Sequence, residues 1–182
     1  MLRWLCLLVL FAAVAPASAQ DAATVSATTV SATLGKLPEV YVLTALKSGD
    51  WDDMGDLVGE ALDEVDEMAE DRELKLSKTE VVIYEVMGLK TFRARVGYVL
   101  DPESKAKPGR FGKNIELRQL KGAAYVASGV GGAAALIPIR RKVLDEMEKP
   151  STKRLKGVET IELFYGDMDD KETKVEVYGP LR

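Results

Sequence analysis

Histidine is missing from all 182 residues, and the single cysteine, Cys6, lies in the apolar opening of the chain. Without histidine there is no Ser-His-Asp or Cys-His pair, no His-ligated haem, and no access to most zinc sites. Basic residues are also outnumbered, 25 Lys and Arg against 29 Asp and Glu, a net charge of −4. That balance argues against a nucleic-acid partner, which needs a basic face to meet phosphate. No cofactor and no metal are expected.

What is present begins with a leader. Arg3 and the amino terminus give a positive start, Trp4 to Val14 form an apolar core, and Ala17-Ser18-Ala19 gives the small-x-small cleavage pattern. The apolar run is too short to cross a bilayer, so residues 1–19 read as a signal peptide cut after Ala19 and leave no stable membrane anchor. Cys6 sits too early for a lipoprotein, and it departs with the leader. The mature chain is then expected in the periplasm or outside the cell, without disulfides, its stability supplied by a core alone. A chain of this length buries about 70% of its unfolded surface, which suffices. Residues 20–37 hold a small repeat, Thr24-Val25-Ser26-Ala27-Thr28 then Thr29-Val30-Ser31-Ala32-Thr33, and read as a flexible Ala/Thr/Ser-rich tether.

From residue 38 the pattern becomes regular. A strand is expected from Val40 to Leu46, then a helix with Asp50 or Ser48 as its cap. Along it Trp51, Met54, Leu57, Val58, Ala61, Leu62, Val65 and Met68 recur at helical spacing, with an acidic stripe opposite. Strands follow at Thr79–Met87 and Thr91–Leu100, turning at Gly88-Leu89. Asp101 to Lys113 reads as a Pro/Gly/Lys linker. Beyond it come strands at Ile115–Leu120 and Ala123–Ser128, a turn at Gly129–Gly132, and a helix to about Lys149 with Pro138 in its first turn. A last strand pair runs from Val158 to Leu181, and its Asp167, Asp169 and Asp170 form a polar turn lacking the pattern of a calcium loop.

A shift of 82 positions lays Gly49 on Gly131, Leu57 on Ile139, Ala61 on Val143 and Val65 on Met147. Apolar positions fall on apolar positions, so the chain reads as a duplication, about 38–100 and 114–182. The expected fold is α+β: two β-α-β-β units sharing a continuous antiparallel sheet, two helices on one face, and a groove at the pseudo-twofold axis.

The last pair carries Glu162 in an otherwise apolar run, Ile161-Glu162-Leu163-Phe164-Tyr165. On the residues alone, an exposed strand carboxylate is the commoner setting for such a glutamate. The duplicated order, a glycine ahead of each helix, and Glu162-x-x-Tyr165 followed by Thr173-x-Val175-x-Val177-x-Gly179-Pro180-Leu181 resemble the DNA-gyrase-inhibitor-like effector-binding domains. These occur alone and as the drug-sensing part of bacterial multidrug-responsive transcription regulators. The resemblance covers Val40 to Leu181 and implies that Glu162 floors an aromatic cleft for lipophilic cations. This chain departs from the family's pattern at Ala133-Ala134-Ala135, where an aromatic is frequent, and the expected leader would export it from the compartment of transcription.

Phe164 shares a strand face with Glu162 and is its nearest aromatic by alternation. Tyr84, Tyr98 and Tyr125 lie in strands expected to flank the groove, and Trp51 opens the first helix. A carboxylate gains about 4 kcal/mol from a cation at about 4 Å when the effective dielectric is about 20. The resulting expectation is an exported domain that binds a small lipophilic, cationic molecule through Glu162 and these aromatics. Two alternatives stand beside it. One is a small hydrolase using the pocket glutamate with Tyr84 or Tyr125 as proton partner; the other is a module whose groove takes a protein or lipid tail. The leader is checked directly: protein recovered from its host should have the intact mass of a chain starting at Gln20. A chain that keeps residues 1–19 would overturn the cleavage.

Overall fold

The computed structural model describes residues 30–104 and 106–182. The signal peptide and the first ten residues of the tether, 20–29, lie outside the described residues. The elements in chain order are β1 (Thr33–Lys36), β2 (Val40–Asp50), a 3-10 turn at Trp51–Asp53, α1 (Met54–Asp71), β3 (Leu76–Met87), β4 (Thr91–Leu100), β5 (Gly109–Phe111), β6 (Ile115–Leu120), β7 (Ala123–Val130), a 3-10 turn at Gly132–Ala135, α2 (Leu136–Met147), β8 (Thr160–Tyr165) and β9 (Lys174–Pro180). All nine strands join one antiparallel sheet in the order β1-β7-β9-β8-β3-β4-β2-β6-β5. The fold is α+β, as expected. No helix among the described residues is long and apolar enough to cross a membrane.

One connection shapes this sheet. β6 and β7 are joined only by Lys121 and Gly122, yet they stand eighth and second in the strand order. Six inter-strand steps would separate them by about 29 Å in a flat sheet, and so short a link reaches about 10 Å. The sheet therefore curls until those strand ends meet. Its inner face packs against itself, and Val42, Val81, Ile83, Val99, Leu120, Ala124, Ile161, Leu163 and Tyr178 form a core containing no helical residue. Gly97 marks a tight part of the bend. A Cβ there would stand 2.0 Å from the Leu43 carbonyl oxygen on the neighbouring strand.

The outer face carries both helices. α1 lies over β2 and β4, and α2 over β7 and β9, which leaves β3 and β8 as a central pair between them. Their buried stripes are Ala61, Val65 and Ala69 in α1 and Ile139, Val143 and Met147 in α2, the spacing expected of amphipathic helices. The helices obey the 82-residue shift, since Ala61 and Val65 fall on Val143 and Met147. The glycines require a correction. Gly49 gives room to Leu57, whose Cδ1 would lie 2.6 Å from an added Cβ, and Gly129 does the same for Ile139 at 2.7 Å. The partner of Gly49 is thus Gly129 rather than Gly131, and the second unit has two extra residues between strand and helix. Those residues form a left-handed turn, with φ of 140° at Gly131 and 53° at Gly132. The turn docks on the β8–β9 hairpin, Gly132 N–H donating to the Thr173 carbonyl and Ala133 N–H to that of Met168.

Several boundaries differ from expectation. β2, β3 and β7 extend beyond the expected strands. The last residues of the expected tether form β1, which pairs with β7 from Thr33↔Val126 to Lys36↔Ala123. β5 forms inside the expected linker by pairing with β6. Both are edge strands; β1 is ordered by a neighbour that lies far away in sequence, and β5 by the strand that follows it in a tight hairpin. Asp50 occupies the position before the 3-10 turn but makes no side-chain cap. The acidic stripe of α1 is not wholly solvated, since Lys47 bridges Glu60 at 2.9 Å and Glu64 at 3.0 Å.

The curl gives Gly97 a testable role. Gly97→Ala forces a methyl against backbone that cannot yield cheaply, and should cost about 3 kcal/mol of stability. Urea unfolding with an unchanged slope reads this directly, and a midpoint equal to wild type would show that the bend tolerates a side chain.

Candidate functional site

The register of the central pair decides which side chains share the outer face. Val82 pairs with Glu162, Glu80 with Phe164, and Tyr84 with Thr160, so all six point toward the helices. β3 and β8 lie between the helices, and what covers them is side chains reaching in from either side. Glu162 is 0% exposed and Phe164 1%. The groove expected above Glu162 is filled.

What fills it at Glu162 is Arg140, from the first half of α2. Its Nε donates to Glu162 Oε1 at 2.6 Å, and its guanidinium carbon stands 4.9 Å from the centre of the Tyr84 ring. A carboxylate below and an aromatic face beside form the usual surroundings of a bound cation, and here the cation belongs to the chain. Trp51 extends the aromatic wall, 6.0 Å from Tyr84 and 5.2 Å from Phe92 between ring centres. Its indole N–H donates to the Gly88 carbonyl at 2.9 Å, which latches the β3–β4 turn to the start of α1.

Electrostatics follow from burial. Loss of solvent raises the Glu162 carboxyl above the ordinary glutamate range, and Arg140 offsets part of that rise. Burial likewise raises the Tyr84 hydroxyl, with Glu162 adding to it and Arg140 opposing. Desolvation works against the charge on Arg140, but Glu162 and Tyr84 together outweigh it and hold the guanidinium more firmly protonated. The second oxygen, Glu162 Oε2, and the neighbouring Thr160 hydroxyl are buried with no hydrogen-bond partner among the described residues. The site thus holds unused hydrogen-bonding capacity.

The structure brings together Glu162, Tyr84 and Trp51, with Phe164 beside them as a fully buried part of the floor. Tyr98 stands in the next row, across from Glu80. Burial first, then Asp66, Glu80, Asp63 and Asp167, push its hydroxyl up to about 12. Tyr125 is not brought to the site. It lies on β7, two strands from β8, and packs on the outer face near the far end of α2. Two surface depressions, of about 310 and 610 Å³, lie elsewhere and include none of these residues. The aspartates of the last hairpin turn bind backbone: Asp167 Oδ1 accepts from Asp169 N–H and Asp170 Oδ1 from Glu172 N–H, each at 2.9 Å. No group of three metal-ligating side chains occurs among the described residues.

Arg140 is the residue that reading along the chain passed over, although it left a signal. It sits on the stripe defined by Leu136, Ile139, Val143 and Leu144, and the 82-residue shift lays it on Val58. A charged side chain at a core position needs a buried partner, and Glu162 was the unexplained carboxylate.

No protein-family profile matches the chain, and no curated protein sequence does. Solved structures do resemble it. EcmrR in its complex with DNA matches with a TM-score of 0.61 at 14% identity, over 84% of this chain and 57% of that one. The EcmrR C-terminal domain matches with a TM-score of 0.59 at 15% identity, over 85% of this chain and 98% of that domain. A hydrolase from Listeria innocua matches with a TM-score of 0.50 at 11% identity, over 85% and 94%. The chain spans little more than half of the DNA-bound EcmrR chain and nearly all of its C-terminal domain. At these identities the likeness shows a shared fold.

The ion pair predicts a pH signature. Arg140→Met leaves a buried carboxylate without its partner and should cost about 3–5 kcal/mol at neutral pH. The folded-state carboxyl then lies still further above its unfolded value. The deficit is complete above the folded value and shrinks as pH falls toward the unfolded one. Unfolding midpoints of Arg140→Met, Glu162→Gln and the double variant, measured against pH, check this; a deficit independent of pH would remove the charge from the explanation.

Proposed function

We propose that this chain is a small-molecule-binding domain whose site is the outer-face groove floored by β3 and β8. Its ligand is a lipophilic cation that takes the place of the Arg140 guanidinium between Glu162 and Tyr84. One observation carries the reading: a fully buried carboxylate and an aromatic face already hold a cation, supplied from within. The site's electrostatics therefore suit a positive charge, and the internal guanidinium sets the threshold a ligand must exceed. Displacement is feasible because Arg140 remains 19% exposed along its side chain, so rotation about its own bonds returns the charge to water. The carboxylate is never left unpaired, since one cation replaces another. Affinity comes from the difference between them, in apolar area and in aromatic contact with Tyr84 and Trp51.

The effector-binding resemblance and the shared fold with the EcmrR C-terminal domain support this class of function. Export from the cytoplasm belongs to the same proposal and rests on the leader sequence. Hydrolysis is less well supported. A glutamate acting as base needs water or substrate at its oxygens, and Glu162 is buried with one oxygen bonded to Arg140.

Titration with tetraphenylphosphonium, a lipophilic cation, tests the displacement. Arg140→Met removes the internal competitor and should bind the probe at least tenfold more tightly than wild type. Adding Glu162→Gln to that variant should abolish the gain. If Arg140→Met binds no better than wild type, Arg140 is a structural residue and the groove is not a cation site.

A further inference from the structure

The opposite face of the sheet carries a second charged assembly, unrelated to Glu162. Three arginines and two glutamates from three strands meet on the inner side of the curl. Glu85 is the extra residue of a β-bulge, where the pairing slips between Tyr84↔Ala94 and Val86↔Arg93. Its carboxylate takes Arg93 Nε at 2.9 Å and Arg95 Nε at 2.8 Å. Arg95 Nη2 reaches Glu116 Oε2 at 3.3 Å, and Arg95 Nη1 donates to the Asn114 carbonyl at 3.5 Å. Both glutamates are thereby engaged by Arg93 and Arg95.

Arg118 is left over. It lies on β6 two residues beyond Glu116, across from the fully buried Val42. Its Nε and Nη2 are shielded from solvent and have no hydrogen-bond partner among the described residues. Those two nitrogens form one edge of the guanidinium, with parallel N–H bonds spaced to meet two oxygens of a single anion. A buried charge with that edge unused is costly unless something pairs with it. The five side chains sum to three positive and two negative charges, an excess of one. Arg110, across from Glu116 on the edge strand, adds positive charge at the rim.

We propose that the inner face of the curl binds a small organic carboxylate through the Nε–Nη2 edge of Arg118. The single excess charge favours a monoanion over a phosphate dianion. The flat carboxylate matches the fork, and Val42 and Leu120 on the same face give it apolar surroundings. The site stands independently of the cation groove, which lies on the other face and uses none of these residues.

Nuclear magnetic resonance of the full chain, following the Arg118 Nε–Hε signal during titration with benzoate, tests this in the wild-type protein. Arg118→Lys assigns the signal by its disappearance, and Arg118→Gln does so if the lysine variant fails to fold. Saturable movement of that signal at one equivalent is expected, with benzoate binding at least tenfold weaker in Arg118→Lys. Arg141→Ala, on the exposed face of α2, should bind as wild type does. Movement with inorganic phosphate but not benzoate would overturn the carboxylate assignment. An unmoved signal with both anions, or equal benzoate binding in wild type and Arg118→Lys, would overturn the site.

Discussion

The link of two residues between β6 and β7 constrains everything else in this molecule. Strands six places apart in the sheet are held within the reach of Lys121 and Gly122, so the sheet cannot lie flat. Curling gives its two faces different physics. The inner face buries valine, isoleucine and leucine against one another without a covering layer. The outer face is left to the helices, which settle over the flanking strands and leave the central pair to be closed by side chains. A chain without disulfides depends on both arrangements for its stability.

On the outer face, the closing side chain at the centre is charged. Arg140 satisfies one oxygen of a carboxylate that burial would otherwise penalise heavily. A hydrophobic pair of similar volume could fill the same space, as Val58 does at the matching position of the first unit. Buried ion pairs are weak sources of net stability, so their presence points to what they make available. Here that is a cation position with an aromatic wall, occupied by the Arg140 guanidinium. Glu162 Oε2 and the Thr160 hydroxyl stay without a hydrogen-bond partner among the described residues.

The inner face repeats the theme with the opposite sign. Most of it is apolar, but a β-bulge turns Glu85 toward Arg93 and Arg95, and Glu116 completes a network that leaves Arg118 unmatched. One curled sheet thus presents a buried carboxylate on one side and a buried guanidinium edge on the other. The two charges are separated by the backbone of the sheet.

Local periodicity reports which side of an element is apolar, because that property is set residue by residue along the chain. It was enough for both helices, for the strands at Thr91–Leu100 and Ile115–Leu120, for the duplicated order, and for the oddity of Glu162. It could not reveal β1 or β5, whose order comes from hydrogen bonds to β7 and β6. Nor could it place Gly129 rather than Gly131 opposite Gly49, since two glycines are equivalent until a helix packs on one of them. Most of all it could not tell whether Glu162 faced a ligand or a side chain. By itself the sequence determined the fold class and the carboxylate at its centre. The tertiary structure alone decided that Arg140 answers that carboxylate, because the two residues lie on different elements and meet only when α2 packs beside the central strands.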